Sequence, residues 1–171
     1  KESGLLGRTD EALAVYERGL RMARESGNQR LIDFMEGNLA GGLMTAGQYA
    51  RAIPALEAVI ARKPEPSIAG YRYNQLGTAL ARVGRLSEAI GPSSEGVRIA
   101  RELKQTDELA NRLDNRAWIL SLLGRLDEAI GYTDRALALN PDFPDALWNK
   151  AFTLLLKGDF PAGWELAEQR W

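Results

Sequence analysis

The sequence predicts an all-α fold, an α-solenoid of stacked antiparallel helix pairs. Three observations carry this: a glycine-centred signature recurs five times, apolar residues around each glycine fall at helical spacing, and no stretch carries a strand pattern. The glycines are Gly7, Gly47, Gly84, Gly124 and Gly158, spaced 40, 37, 40 and 34 residues apart. Five residues after each stands a small residue, Ala12, Ala52, Ala89, Ala129 or Gly163, and the next is large, Leu13, Ile53, Ile90, Ile130 or Trp164. Thirteen after each glycine come Leu20, Ile60, Val97, Leu137 and Trp171, which share a helical face with that pair. A second helix precedes each of the last four glycines, because Leu43, Leu80, Leu120 and Leu154 stand four residues before them and Ala40, Gly77, Ala117 and Ala151 seven before.

Each element then follows in order. Glycine ends the first helix of a pair, since it alone takes the left-handed conformation readily just past a last turn. Second helices are expected to begin near Thr9, Gln48, Leu86, Leu126 and Asp159, giving about nine helices. Asp10-Glu11, Ser87-Glu88 and Asp127-Glu128 place acids and a hydroxyl where they would cap free backbone N–H groups and meet the positive end of the helix dipole. Pro64 and Pro141 fall seventeen residues after their glycines, where the second helix must stop. A hairpin of this kind is apolar on both sides, so successive hairpins must stack to bury it.

Composition narrows the chemistry. Of 171 residues, 45% are apolar and 26% charged, which suits a packed soluble chain. Twenty-two Lys and Arg against 23 Asp and Glu leave a net charge of −1, so no field draws the chain to nucleic acid or to an anionic membrane. With neither cysteine nor histidine, disulfides, thiolate nucleophiles, most zinc sites and the commonest general base are excluded. Acid pairs such as Asp107-Glu108 sit at helix starts and read as dipole partners, not as acid–base catalysts. No catalytic residue, metal site or cofactor is therefore expected, and no apolar run reaches the ~20 residues of a membrane span.

These residues resemble the tetratricopeptide repeat family in its bacterial form, with repeats of mixed 34- and 40-residue length. The resemblance rests on Leu76-Gly77, Ala79-Leu80, Gly84-Arg85-Leu86, Ala89 and Gly96 in one unit. In the next it rests on Ala117, Gly124-Arg125-Leu126-Asp127-Glu128-Ala129, Ala136-Leu137 and Pro141. It implies a right-handed superhelix over residues 1–171 as a single domain, with a partial repeat at 1–32 and repeats at 33–69, 70–109, 110–143 and 144–171. The 40-residue units are expected to lengthen the second helix by six residues, as in Arg98-Ile99-Ala100-Arg101-Glu102-Leu103. Arg116 and Lys150 replace the usual apolar residue at one family position, and their stems are expected to run along the groove edge. The segment Gly158 to Trp164 with Arg170-Trp171 also resembles the closing repeat of bacterial members that carry a glycosyltransferase domain beyond it.

The resemblance further implies a concave groove, lined by first helices, that accepts a peptide or a partner protein. In the family register the groove residues expected to matter are Asn38, Tyr71, Asn74, Gln75, Arg82, Asn115, Trp118, Trp148, Asn149 and Phe152. Asn38, Gln75, Asn115 and Asn149 each stand nine residues before a glycine and form a column of carboxamides able to donate to and accept from a peptide backbone. The column resembles the asparagine ladder in the repeat domain of protein O-linked N-acetylglucosamine transferases; its other reading is that these amides bond to neighbouring repeats. Trp118, Trp148 and Phe152 are expected to face the groove, and Tyr71, Tyr73 and Tyr132 to sit in the core or at its rim. With Asp114 and Asp145 opposing Arg82, a clamp for a terminal carboxylate is not expected. Gly37, Gly41 and Gly42 are expected to permit close helix packing.

The expected role is thus a protein–protein interaction module. The alternatives are a scaffold that assembles through its end helices, or the substrate-recruiting arm of a larger enzyme such as a glycosyltransferase. A cytoplasmic setting is the default expectation. Both ends read as cut, since Lys1 to Leu6 is too short for a first helix and Trp164 and Trp171 share a face that stacking would normally cover. The chain is therefore expected to be a fragment of a longer protein and to form weak homo-oligomers through its terminal helices.

Overall fold

The structure, a computed structural model, describes the backbone of residues 2–168 and the side chains of residues 11–168. Among the described residues there are nine α-helices and no strand. They fall into two compact units, Lys1–Glu65 and Pro66–Trp171.

The first unit holds α1 (Glu2–Ser26), α2 (Gln29–Thr45) and α3 (Tyr49–Ala61), with α2 packed on both of the others. The expected hairpin turn at Gly7 does not form: α1 runs unbroken through it, and Ala12, expected to be packed, is exposed. Extending a helix already begun needs no new nucleation. The turn is instead made at Gly27, φ 67°, which joins α1 to α2. Leu13 and Leu20 still face inward. Gly42 permits the close approach predicted for it, since a Cβ there would lie 3.0 Å from Leu13 Cδ2 and 3.3 Å from the Tyr16 ring, whereas Gly41 meets nothing within 4 Å. The unit is clasped by Glu36, buried in α2, which accepts from Arg24 of α1 at 2.8 Å and from Arg62 just beyond α3. Arg62 also pairs with Asp33 at 2.6 Å.

The second unit holds α4 (Pro66–Arg82), α5 (Leu86–Glu102), α6 (Thr106–Leu122), α7 (Leu126–Leu139), α8 (Pro144–Lys157) and α9 (Phe160–Glu168). The first helices α4, α6 and α8 lie side by side, and each packs on the helix that follows it. Helix starts agree with expectation to within one residue except at Thr9. The hairpin turns also follow it. In each, the residue after glycine donates its N–H to the leucine four before that glycine: Gln48 to Leu43, Arg85 to Leu80, Arg125 to Leu120 and Asp159 to Leu154, at 2.9–3.0 Å. This is the Schellman arrangement, which satisfies last-turn carbonyls. Close approach explains the small residues: a Cβ on Gly77 would come within 3.2 Å of the Ser93 nitrogen and 3.4 Å of the Ala89 carbonyl. Val97, Leu113, Ala136 and Ala146 form a core cluster from four successive helices.

Two expectations are corrected here. The added length of the unit between Gly84 and Gly124 is shared, with α5 and α6 17 residues each against 14 for α7 and for α8. Matched overhangs bury each other, as Ile99, Ala100 and Ala110 show, whereas a lone six-residue overhang would have no partner. The acids at the starts of α5 and α7 do not cap through their side chains. Glu88 and Glu128 instead receive bidentate hydrogen bonds from Arg85 and Arg125, the residues immediately before each helix. Those guanidinium hydrogen bonds hold both carboxyls below the usual range.

Candidate functional site

Within the second unit, α4, α6 and α8 line a cleft of about 390 Å³. Helix α4 contributes Thr78 and Arg82, α6 contributes Asp114, Asn115 and Trp118, and α8 contributes Asp145, Trp148 and Asn149. Residues i, i+3 and i+4 of each helix share a face, which is why these positions meet. The cleft gathers five of the residues expected to line a groove: Arg82, Asn115, Trp118, Trp148 and Asn149.

The polar groups are ordered by specific bonds. Asn115 donates through its amide nitrogen to Asn74 Oδ1 of α4 at 3.3 Å and to Asn111 Oδ1 at 3.0 Å. Asn149 donates to both carboxylate oxygens of Asp114, each at 3.0 Å. Both carboxamides therefore tie adjacent first helices together, the neighbour-repeat reading of the column. Among the described residues neither Oδ1 accepts a hydrogen bond, and an amide with its NH2 committed presents that oxygen as an acceptor. The Arg82 guanidinium lies 4.7 Å over the Trp118 ring, and Trp148 is 46% exposed.

Asp114 is only 4% exposed, and burial pushes its carboxyl up to about 6; the Asn149 hydrogen bond opposes this and the charge of Asp145 reinforces it. The place of Asp114 as a counterweight to Arg82 was legible in the sequence, but its burial was not.

The remaining expected residues lie elsewhere. Gln75 is 8% exposed, with its amide donating to the Tyr71 hydroxyl at 3.2 Å and accepting from Arg72 at 2.8 Å, so its hydrogen bonds are made within α4. Tyr71 and Phe152 are exposed, on α4 and α8. Asn38 is half-buried on α2 of the first unit. Arg116 and Lys150 do not border the cleft as expected. Arg116 turns to α5, donating to the Ile90 carbonyl, Ser93 and Ser94, and stacks over Tyr132 at 4.9 Å. Lys150 pairs with Asp134 of α7 at 2.7 Å. Both positions face the second-helix layer, and Ser93 and Ser94 supply acceptors that make a cation tolerable there.

One buried residue went unseen in the sequence: Arg112, 2% exposed, donates to the Gly96 carbonyl at 3.1 Å and reaches Glu108 at 3.4 Å. Its space is left by Gly70, where a Cβ would lie 2.6 Å from Arg112 Nη1. A second hollow, of about 300 Å³ in the first unit, is lined chiefly by Leu20, Leu39, Leu43, Pro54 and Ala58, and its one carboxylate, Glu36, is already in ion pairs. Among the described residues no group of three or more carboxylates could hold a metal ion, and no helix is long and apolar enough to cross a membrane.

Stacked helix pairs with a cleft on the first-helix face define a helical-repeat protein of the kind that serves protein–protein interaction and scaffolding. Profiles of the Tetratricopeptide repeat match residues 38–97 and 110–143, together more than half of the chain, and the chain belongs to the tetratricopeptide repeat family. Protein FlbA of Caulobacter vibrioides is 29% identical over 144 residues, which is 81% of this chain and 22% of FlbA. The chain thus spans about a fifth of the length of that curated relative. Among solved structures, a Podosopora anserina putative kinesin light chain with nearly identical TPR-like repeats superposes with a TM-score of 0.81 at 19% identity, covering 96% of this chain and 85% of that one. YrrB, a TPR protein with an unusual peptide-binding site, gives 0.68 at 19% identity, covering 98% and 78%. At these identities the likeness is one of fold.

Proposed function

We propose that the chain is a protein-interaction module that takes an extended segment of a partner protein in the cleft between α4, α6 and α8. The observation that carries this is the convergence of Trp118, Trp148, Asn115 and Asn149 on one concave face, with Trp148 nearly half exposed. Large aromatics at the centre of a recess bring affinity when a partner desolvates them. An Oδ1 acceptor on Asn115 and on Asn149 supports contact with N–H groups of a peptide backbone. The peptide-binding site named for YrrB is in keeping with this use of the fold.

The test is to pan a library of random twelve-residue peptides on the immobilised chain and titrate the selected peptides by calorimetry. Trp148→Ala is expected to weaken them by about thirtyfold, the effect of losing a hot spot worth ~2 kcal/mol, with helicity unchanged. Equal affinity for the variant would overturn the proposal.

A second reading, self-assembly through the last helices, is favoured by Phe160 and Trp164, which are one helical turn apart on α9 and each 59% exposed. Trp171, expected to share a face with Trp164, lies outside the described residues. Sedimentation over a hundredfold dilution would show a dimer that Trp164→Glu abolishes; a monomer at every concentration would remove this reading.

A further inference from the structure

We infer that the segment taken by this cleft presents a lysine or arginine side chain, its cation received between Asp114 and Asp145 and its aliphatic stem lying along Trp148. This rests on the cleft being the binding face and names the chemistry of its ligand. The lining carries two carboxylates and one guanidinium, so its charge is negative, while the chain as a whole is near neutral.

Asp114 is the decisive residue. It is 96% shielded from solvent in a cleft wall, yet its two oxygens share a single N–H donor, the Asn149 amide. Among the described residues neither Asp114 nor Asp145 is in an ion pair. The nearby cations are turned elsewhere: Arg112 to Gly96 and Glu108, Arg116 to α5, and Lys150 to Asp134. A buried carboxylate with one donor is costly unless a charge completes it, and the open side of the cleft is where that charge can come from. The cleft also shows independently that a cation suits its aromatic wall, since Arg82 already stacks on Trp118. Trp is the best aromatic partner for such contacts. The charged groups around Asp114 are Asp145 from α8 and Arg82 from α4, and burial pushes the Asp114 carboxyl up to about 6, inside the window from pH 5 to 7.5.

The probes are the peptides selected on the immobilised chain, resynthesised with each Lys or Arg replaced by norleucine, which keeps the stem and removes the charge. At pH 7.5 the replacement is expected to cost at least tenfold in affinity for the wild-type chain and less than twofold for the Asp114→Asn, Asp145→Asn double variant. Asp145→Asn alone changes an exposed side chain and keeps the test valid should the double variant fold poorly; it should lose at least threefold for the cationic peptides. Moving to pH 5 protonates Asp114, so binding of the cationic peptides should weaken in the wild type and not in Asp114→Asn. Selected peptides that need Trp148 but lack cations, or that tolerate norleucine, would overturn this inference and leave the cleft reading standing. Peptides indifferent to Trp148 would overturn both. A dimer of the 171-residue chain that Trp148→Ala dissociates would make a second copy the occupant and overturn the inference as well.

Discussion

Asp114→Asn should make the protein more stable at neutral pH, an outcome opposite to that of most substitutions at a buried polar site. The carboxyl has an ordinary value of 3.8 and stands at about 6 in the folded chain. A shift of roughly two units, at about 1.36 kcal/mol per unit, means that the ionised form costs the fold about 3 kcal/mol at pH 7.5. The sign follows from the direction of the shift. Because the folded value is raised, the folded state binds the proton more tightly, and the cost is absent below 3.8, grows between 3.8 and about 6, and is complete above 6. At pH 4.5 it should therefore be only about 1 kcal/mol. Asparagine is nearly isosteric, and its carbonyl oxygen can still accept from the Asn149 amide. Urea denaturation followed by circular dichroism, on variant and wild type at pH 4.5, 6 and 7.5, measures the gap. The variant should be more stable by about 2–3 kcal/mol at pH 7.5, and the gap should narrow as the pH falls. A variant less stable than wild type at pH 7.5, or a gap that does not change with pH, would refute the reasoning.

Gly70→Ala should destabilise the second unit by about 1–3 kcal/mol, because its Cβ would meet Arg112 Nη1 at 2.6 Å and Ile99 Cγ2 at 2.9 Å, and Arg112 is buried and bonded to Gly96. An unchanged denaturation midpoint would show that the guanidinium can move aside. Glu36→Ala should cost about 2 kcal/mol, since it strips Arg24 and Arg62 of their shared acceptor in the first unit; thermal melting of the variant at the wild-type temperature would contradict this. Lys104→Gly should stabilise by about 1 kcal/mol, because Lys104 holds φ at 54° in the turn between α5 and α6, a conformation that costs any residue with a Cβ. A lower melting temperature for that variant would mean that the flexibility gained by the unfolded chain outweighs the relief.

The sequence by itself determined the hairpins. Gly47, Gly84, Gly124 and Gly158 each hold a positive φ, and the leucine four residues earlier supplies the carbonyl that closes each turn. These interactions link residues within six positions of one another, so residue type and spacing suffice to encode them. Gly77 opposite Ala89 was legible for a related reason, since a small residue at a fixed register announces close backbones. The same signature misled at Gly7, where α1 runs on through the glycine, because spacing alone does not report whether a helix ends.

What only the tertiary structure decided is where the longer side chains go and which polar groups are shielded. The Asn115 amide reaches across 41 positions to Asn74, Asn149 across 35 to Asp114, and Arg116 across 26 to the Ile90 carbonyl. Arg112 is buried because Gly70, 42 residues away, leaves it room. The raised proton affinity of Asp114 comes first from burial, which the surrounding helices impose and its own position in α6 does not report. In each case the outcome depends on the atoms that a neighbouring helix pair places nearby, and a side chain of several rotatable bonds takes its direction from those neighbours, not from its own place in the repeat.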